Sequence, residues 1–252
     1  MEINLSGKTA LVTGGNTGIG KGIALALAHC NVDVAVTYFS NPSEEAVSAI
    51  KGMGRKAEAF KMDATNSSEV NQVVTRAAEF LGGHIDILVN NAGHLVARVP
   101  VAEMSDEHWH QVVNVNLSST FYVTRAVLRH MDRGWGRIVN VASLAARNGG
   151  GPGAVAYGAS KAGVLGYTYG LAKELGGKGI TVNAVAPGLI LDTPFHATFS
   201  PEAAQQAGIA ASPLKKAGYP QDVAGAVVYL VSDLASFITG QVMDINGGTW
   251  FA

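Results

Sequence analysis

The chain has 252 residues, of which 15% are charged, and its 18 lysines and arginines nearly balance its 19 aspartates and glutamates. A net charge of −1 excludes the basic surface that nucleic-acid binding requires. The single cysteine, Cys30, excludes an internal disulfide, and no apolar stretch approaches the roughly 20 residues of a membrane span. The first residues do not resemble a signal peptide, so we expect a soluble protein of the cytoplasm.

Seven short apolar runs alternate with helical patterns along the chain. The predicted strands are residues 9–13, 32–38, 56–62, 85–89, 137–141, 180–186 and 241–245. This alternation is typical of βαβ units, in which helices cover both faces of a parallel sheet. We therefore predict an α/β fold with one seven-stranded, mostly parallel sheet, forming a single domain over residues 1–252.

A glycine-rich turn directly follows the first predicted strand, and a helix follows the turn. The turn reads Thr13-Gly14-Gly15-Asn16-Thr17-Gly18-Ile19-Gly20. Glycines let the backbone approach a pyrophosphate closely, and a helix N-terminus supplies unpaired N–H groups and partial positive charge. With a strand before it and a helix after it, this turn predicts a dinucleotide site rather than an ordinary glycine-rich turn.

The end of the second predicted strand bears on the choice of cofactor. An acidic residue there would hold the ribose of NAD, whereas a basic residue would favour the phosphate of NADP. The residues present are all neutral, namely Tyr38, Phe39, Ser40 and Asn41. Lys21 is nearby and is interpreted as a solvated helix residue. Because a 2′-phosphate without a cation is poorly compensated, the sequence weakly favours NAD, with NADP as the alternative.

Three later strands end in polar or glycine-containing segments. These segments are Asn90-Asn91-Ala92-Gly93, Ser143 and Pro187-Gly188. Ligands of open parallel sheets bind beyond the carboxyl ends of the strands, so we expect these segments to converge on one crevice. The region of about 188–220, which contains four prolines, is predicted to form a mobile flap over that crevice.

Tyr157 and Lys161 are spaced to share one face of a helix. A nearby cation favours the phenolate and lowers the pKa of a tyrosine, so this pair is suited to proton transfer near neutral pH. The alternative is an amphipathic helix with both residues at its edge.

Two further polar residues are candidates for the same site. Asn116 continues an apolar stripe of a predicted helix that begins at Ser105 and includes Trp109, Val112, Val113, Thr120, Val123 and Val127. A buried amide needs partners, either core backbone groups or a water that relays protons. Ser143 is either a turn former or a hydrogen-bond donor to the substrate oxygen.

Across essentially the whole chain, the ordered motifs resemble those of the short-chain dehydrogenases/reductases. These motifs are T-G-x-x-x-G-I-G, N-N-A-G, Asn116, Ser143, Y-x-x-x-K and P-G. The resemblance implies a Rossmann-type doubly wound fold and hydride transfer between a nicotinamide and a carbonyl or alcohol carbon, without a metal. It implies that Tyr157 is the general acid/base and that Lys161 lowers its pKa and holds the nicotinamide ribose. It further implies that Ser143 binds the substrate oxygen and that Asn116 anchors a water.

The resemblance also implies cofactor contacts beyond the glycine turn. These are Asp63 and Ala64 beside the adenine, Asn90, Ala92 and Gly93 after the fourth strand, and Pro187, Gly188, Ile190 and Thr193 beside the nicotinamide. Family members often carry a threonine five residues beyond the proline. Here Asp192 occupies that place and Thr193 follows, so an extra residue lies in the loop. Members are commonly homotetramers, and the apolar tail 248–252 fits a subunit contact.

The substrate is predicted from polar residues next to the expected crevice. His94, Arg147 and His196 favour a small polar substrate such as a sugar, a hydroxy acid or a sulfonate. The first alternative is a 3-oxoacyl-[acyl-carrier-protein] reductase, whose acidic carrier would meet Arg129, Arg133 and Lys178. The second is a nucleotide-binding regulator without turnover. Nucleotide-sugar epimerases, a further class on this scaffold, need an extra substrate domain for which the residues after Gly188 leave no room.

Overall fold

The computed structural model describes residues 3–40, 42, 44–131 and 134–251. Within these residues, seven strands form one sheet. The strands are β1 (Thr9–Val12), β2 (Asp33–Tyr38), β3 (Ala57–Lys61), β4 (Ile87–Asn90), β5 (Gly136–Val141), β6 (Ile180–Pro187) and β7 (Val242–Ile245). The helices are α1 (Gly18–His29), α2 (Glu44–Gly52), α3 (Ser67–Phe80), α4 (Asp106–Val113), α5 (Ser119–Val127), α6 (Ala145–Asn148), α7 (Val155–Leu175), α8 (Pro194–Phe199), α9 (Glu202–Ala211) and α10 (Pro220–Val231). In the described ranges, no helix is both long and apolar enough to cross a membrane.

The strands lie in the order β3-β2-β1-β4-β5-β6-β7, and every neighbouring pair is parallel. The predicted doubly wound, seven-stranded α/β fold is confirmed, and the predicted strand ends differ from the observed ones by at most two residues. The chain runs outward from β1 to β3 and then returns to place β4 on the other side of β1. The carboxyl ends of β1 and β4 therefore form the switch point at which such sheets bind ligands.

Two apolar layers cover the two faces of the sheet. Consecutive strand residues point to opposite faces, so Leu11 and Val12 of β1 enter different layers although both are fully buried. One layer packs against α1 and α10 through residues such as Leu27 and Val227. The other packs against α3, α5 and α7. These layers hold the strand ends rigidly enough to position a site.

The helical segment that follows β4 is interrupted by a π-helical turn, Asn114–Ser118, between α4 and α5. The sequence predicted one continuous helix with an unbroken apolar stripe. The turn holds Asn116 fully buried, as predicted, whereas Trp109 of the same stripe remains 40% exposed. The stripe prediction is wrong at Trp109, which lies in α4 before the π turn, whereas Thr120, Val123 and Val127 beyond the turn are buried as predicted.

The predicted flap contains two helices, α8 and α9, and its mobility stays a prediction. Thr193 caps α8, since its side chain accepts a hydrogen bond from the His196 N–H. Asp192 has a left-handed backbone with φ of 56°, which is uncommon outside glycine. The structure thus absorbs the extra loop residue as one left-handed turn before the cap.

Candidate active site

The carboxyl ends of β1 and β4 are tied together by side chains. Asn91 Nδ2 donates hydrogen bonds to the carbonyls of Thr13 (2.9 Å) and Gly14 (3.1 Å). In return, Thr13 Oγ1 accepts from the N–H groups of Asn91 and Ala92, each at 3.0 Å. The neighbouring Asn90 is buried and donates to Thr124 and Asn140. The second strand end therefore fixes the position of the glycine turn.

The glycine turn leaves a concave backbone surface at the start of α1. Gly14 has a φ of 60°, and a Cβ at Gly20 would overlap the Gly14 carbonyl. No acidic residue lies in the first turn of α1, and within the described chain the Thr17 side chain makes no cap hydrogen bond there. Free N–H groups at a helix N-terminus suit a phosphate. The turn thus fits a dinucleotide pyrophosphate.

The remaining residues of the turn divide into buried and accessible groups. Asn16 is buried, Thr17 is exposed, and Ile19 packs against the core beside α1. Gly18 lies against the flap, because a Cβ there would come within 3.3 Å of Thr193 Cγ2. Thr193 therefore lies over the glycine turn, and its hydroxyl donates to the Ile190 carbonyl at 3.0 Å.

The residues predicted beside the adenosine follow β2 and β3. Tyr38 is half-buried, while Phe39 and Ser40 are exposed; Asn41 lies outside the described residues. Asp63 Oδ1 accepts hydrogen bonds from the N–H and hydroxyl of Thr65, and the adjacent Ala64 is buried. This side of the crevice therefore offers one carboxylate and an accessible aromatic ring.

Helix α7 presents Tyr157 and Lys161 on one face, as predicted. The Lys161 ammonium lies 5.9 Å from the centre of the Tyr157 ring and donates a 2.8 Å hydrogen bond to the Val141 carbonyl at the end of β5. Lys161 is only 4% exposed, and burial lowers its pKa to about 8. The ammonium is thus still largely protonated at neutral pH.

Tyr157 has a higher pKa than the sequence predicted. Burial raises the pKa of its phenol to about 12, although a hydrogen bond with the Ser143 side chain lowers it in part. The net pKa shift is upward because burial disfavours the phenolate, and the lowering of this pKa by Lys161 stays a prediction. The predicted association of Ser143 with Tyr157 is observed. The phenol is a proton donor rather than a base at neutral pH.

Asn116 uses its amide to hold the turn after β4. Its Nδ2 donates to the carbonyls of His94 (2.7 Å) and Val112 (2.9 Å), while its Oδ1 accepts from the His94 N–H (3.1 Å). Both protons of the Asn116 amide already donate to backbone carbonyls. Asn116 therefore fits a residue that positions the turn better than one that holds the predicted water through its amide. A Cβ at Gly93 would lie 2.7 Å from Asn116 Oδ1 and 3.0 Å from Lys161 Nζ. Gly93 thus lets the turn pack directly against the lysine.

The segment that follows β6 contains the residues predicted to lie beside the nicotinamide. The Pro187 carbonyl accepts from the Leu144 N–H at 2.8 Å, and the Gly188 N–H donates to the Ile245 carbonyl at 2.9 Å. Ile190, at the start of the predicted flap, is buried. These bonds align the end of β6 with the segment that carries Ser143.

Aromatic rings of the flap cover the Tyr157 side chain. The ring centre of Phe195 lies 5.7 Å from that of Tyr157 and 5.3 Å from that of Phe199. Phe199 in turn contacts the His94 ring, with centres 5.2 Å apart. Sequence reasoning missed both phenylalanines, although their spacing of four residues on a short helix places them on one face. The wall of the crevice next to Tyr157 is therefore aromatic.

The three predicted substrate residues have different surroundings. His94 Nδ1 accepts from the Val96 N–H at 2.9 Å, and partial burial lowers the pKa of His94 although much of this residue stays accessible. Burial also lowers the pKa of His196, whose Nδ1 lies 2.8 Å from Ser200 Oγ. Both histidines border the aromatic wall, and their substrate contacts stay predictions.

Arg147 is paired with a carboxylate of β7. Its guanidinium forms an ion pair with Asp244 at 3.1 Å. Both residues line a cavity of about 670 Å³ beside Tyr169, Trp250 and Phe251. The carboxylate partner of Arg147 lies on β7, and a substrate contact of Arg147 stays a prediction.

The described cations that are predicted to meet a carrier protein lie at the amino ends of the strands, opposite the crevice. Arg129 and Lys178 are exposed, and they precede β5 and β6 respectively, at the amino ends of the strands. Arg133 lies outside the described residues. Because Tyr157 belongs to the carboxyl ends, these cations are separated from the crevice of their own chain by the length of the sheet.

Known proteins match this chain over nearly its full length. A family model described as enoyl-(acyl carrier protein) reductase matches residues 14–249. The chain is 41% identical over 251 residues to a 3-oxoacyl-[acyl-carrier-protein] reductase of Aquifex aeolicus, covering 98% of this chain and 99% of the relative. The enzyme of that name from Escherichia coli is 39% identical over 251 residues, with the same coverage. A crystal structure of a short-chain dehydrogenase from Burkholderia cenocepacia in complex with NADP is 37% identical, with a TM-score of 0.91 and coverage of 98% and 99%.

Proposed function

The chain belongs to the short-chain dehydrogenase/reductase family of oxidoreductases, and we propose that it reduces the 3-oxo group of acyl thioesters carried by an acyl carrier protein. The sequence favoured a small polar substrate, with reduction of 3-oxoacyl thioesters as the first alternative. The aromatic wall of Phe195 and Phe199 beside Tyr157 is the observation that favours the second. Apolar rings are suited to an acyl chain, whereas a sugar needs several polar partners. Arg147, a predicted polar contact, already pairs with Asp244.

Tyr157 is proposed to supply the proton in this reaction. The phenol is protonated at neutral pH, so it can donate a proton to a carbonyl oxygen during reduction. The nicotinamide supplies the hydride when it is bound. Ser143, which shares a hydrogen bond with Tyr157, is placed to donate to the same oxygen.

Lys161 is proposed to favour proton loss from Tyr157 by stabilising the phenolate. The ammonium lies close to the phenol ring and is held by the Val141 carbonyl. As the phenol loses its proton to the substrate, this cation stabilises the negative charge that develops on the tyrosine oxygen. Asn116 and Gly93 set the position of the lysine through the turn after β4.

We propose NADPH as the reductant, held at the pyrophosphate by the glycine turn and by Asn16, Thr17 and Ile19. The relative from Burkholderia cenocepacia in complex with NADP supports this choice. It replaces the weak preference for NAD that came from the neutral end of β2. We propose that Asp63, whose Oδ1 accepts from Thr65, and the exposed Phe39 contact the adenine.

A homotetramer is proposed as the assembly. Trp250 is 40% exposed and Phe251 is 80% exposed, so the apolar tail is not part of the core of its own chain. Trp109 and Phe121 are each 40% exposed on α4 and α5. Further copies of the chain would cover these rings. Sedimentation of a monomer at micromolar concentration would argue against this assembly.

The substrate proposal is tested by following NADPH absorbance with a matched panel. The panel contains a 3-oxoacyl thioester, the corresponding 2-enoyl thioester, a hydroxy acid, a sugar and a sulfonate. Each compound is assayed with NADP(H) and again with NAD(H). We expect the highest kcat/KM for the 3-oxoacyl thioester. The enoyl thioester is included because the matching family model is described as enoyl-(acyl carrier protein) reductase. No turnover of any compound, with intact nucleotide binding, would favour the regulator instead.

A further inference from the structure

Lys21 and Glu45 form an ion pair beside the loop that follows β2. Their side-chain atoms Nζ and Oε1 are 2.7 Å apart. We propose that Lys21 is the cation that recognises the 2′-phosphate of NADPH, and that Glu45 competes with the phosphate for it. The inference rests on the proposed use of NADPH and names the residues of this chain that select it.

The first support is the position of Lys21 relative to the glycine turn. Its N–H donates to the Thr17 carbonyl at 3.0 Å, so the residue lies one helical turn beyond the pyrophosphate surface. At 26% exposure its side chain lies along the protein surface rather than extending freely into solvent. A long, flexible ammonium at this place is within reach of a ligand that occupies the turn.

The second support is the position of Glu45. It lies in the first turn of α2, the helix that follows β2, and dinucleotide folds recognise the ribose at the end of this strand. The end of β2 is fixed to the glycine turn, because the Gly15 N–H donates to the Thr37 carbonyl at 3.1 Å. The Lys21–Glu45 pair therefore closes the outer edge of the ribose side of the crevice.

Charge and exposure explain how a phosphate replaces Glu45. The Glu45 side chain is 77% exposed, and an ion pair with so accessible a partner is weak and is screened by salt. A phosphate carries more charge and offers three acceptor oxygens to the same ammonium. The residues that precede the pair, Tyr38, Phe39 and Ser40, are neutral and offer the phosphate no competing cation.

The test measures nucleotide binding by isothermal titration calorimetry, without turnover. The probes are 2′,5′-ADP and 5′-AMP, which differ by the 2′-phosphate. Lys21→Met is expected to weaken 2′,5′-ADP about tenfold, the usual effect of losing one charge-assisted hydrogen bond, while 5′-AMP changes less than about twofold. Glu45→Gln is expected to strengthen 2′,5′-ADP several-fold, and this gain should vanish in the double variant.

The controls are Glu44→Gln, the adjacent exposed carboxylate, and Lys51→Met at the far end of α2. Both should leave the ratio of the two affinities unchanged. An unchanged ratio in Lys21→Met and in Glu45→Gln would overturn the role of the pair. A wild-type protein that binds 5′-AMP as tightly as 2′,5′-ADP would instead contradict the proposed use of NADPH.

Discussion

The Lys161 ammonium lies 5.9 Å from the centre of the Tyr157 ring and donates its hydrogen bond to the Val141 carbonyl rather than to the phenol. The lysine thus acts on the tyrosine through space while the end of β5 fixes its position. Burial raises the pKa of the tyrosine and lowers that of the lysine. Each therefore disfavours its own charged form until a ligand supplies compensating charge.

The pH dependence of stability should reveal the buried lysine. Its folded pKa of about 8 lies below its ordinary value of 10.5, so the unfolded chain binds more protons between these values. Stability from this group therefore rises with pH over that window, by up to about 1.4 kcal/mol per pH unit. Urea unfolding between pH 7 and 9.5 should show the wild type gaining stability relative to Lys161→Met.

The matched control for this measurement is Lys173→Met, which removes an exposed lysine of the same helix. That variant should keep the wild-type slope. Working below pH 10 avoids the ionisation of the unfolded tyrosine, whose raised folded pKa acts in the opposite direction at higher pH. A slope in Lys161→Met equal to that of the wild type would show that the lysine is not desolvated.

Gly93→Ala should disrupt the contact between the turn and the lysine. The new Cβ would lie 2.7 Å from Asn116 Oδ1 and 3.0 Å from Lys161 Nζ, so at least one of them must move. A displacement of about 1 Å can cost about a hundredfold in rate, and overpacking costs about 1–3 kcal/mol. Steady-state kinetics and thermal unfolding measure the two effects.

Gly166→Ala is the control, since a Cβ there meets nothing within 4 Å in the described structure. This change within α7 should be neutral or stabilising by up to about 1 kcal/mol. Equal behaviour of the two alanine variants would contradict the packing described for Gly93.

Phe195→Ala should open the wall over Tyr157. Loss of the ring 5.7 Å away exposes the phenol, so the pKa of Tyr157 should fall from about 12 towards 10. KM for an acyl thioester should rise about tenfold, because an aromatic contact contributes about 0.5–1.5 kcal/mol beyond its buried area. Ultraviolet titration of tyrosinate gives the pKa, and Phe237→Ala, which alters a fully exposed ring, is the control.

Much of the fold was predictable because the strands are short apolar runs with glycine or polar ends. The π turn was not, since Asn114–Ser118 has no residue pattern that separates it from an α-helix. Trp109 was misplaced because a large apolar side chain on a helix can also lie at the surface. The grouping of Ser143, Tyr157 and Lys161 followed from strand ends and helical spacing. The aromatic wall and the Arg147–Asp244 pair depend on how the flap and β7 pack in three dimensions, which local patterns do not encode.

The most direct test of Tyr157 as the proton donor is the kcat/KM of Tyr157→Phe for reduction of a 3-oxoacyl thioester by NADPH. The control is Tyr169→Phe, which alters an exposed tyrosine of the same helix. Removing the phenol hydroxyl should reduce kcat/KM by at least about 10²–10⁴-fold, while calorimetric NADPH binding and the Tyr169→Phe activity stay near wild type. Turnover by Tyr157→Phe within a few-fold of the wild type would contradict the assignment of Tyr157 as the proton donor.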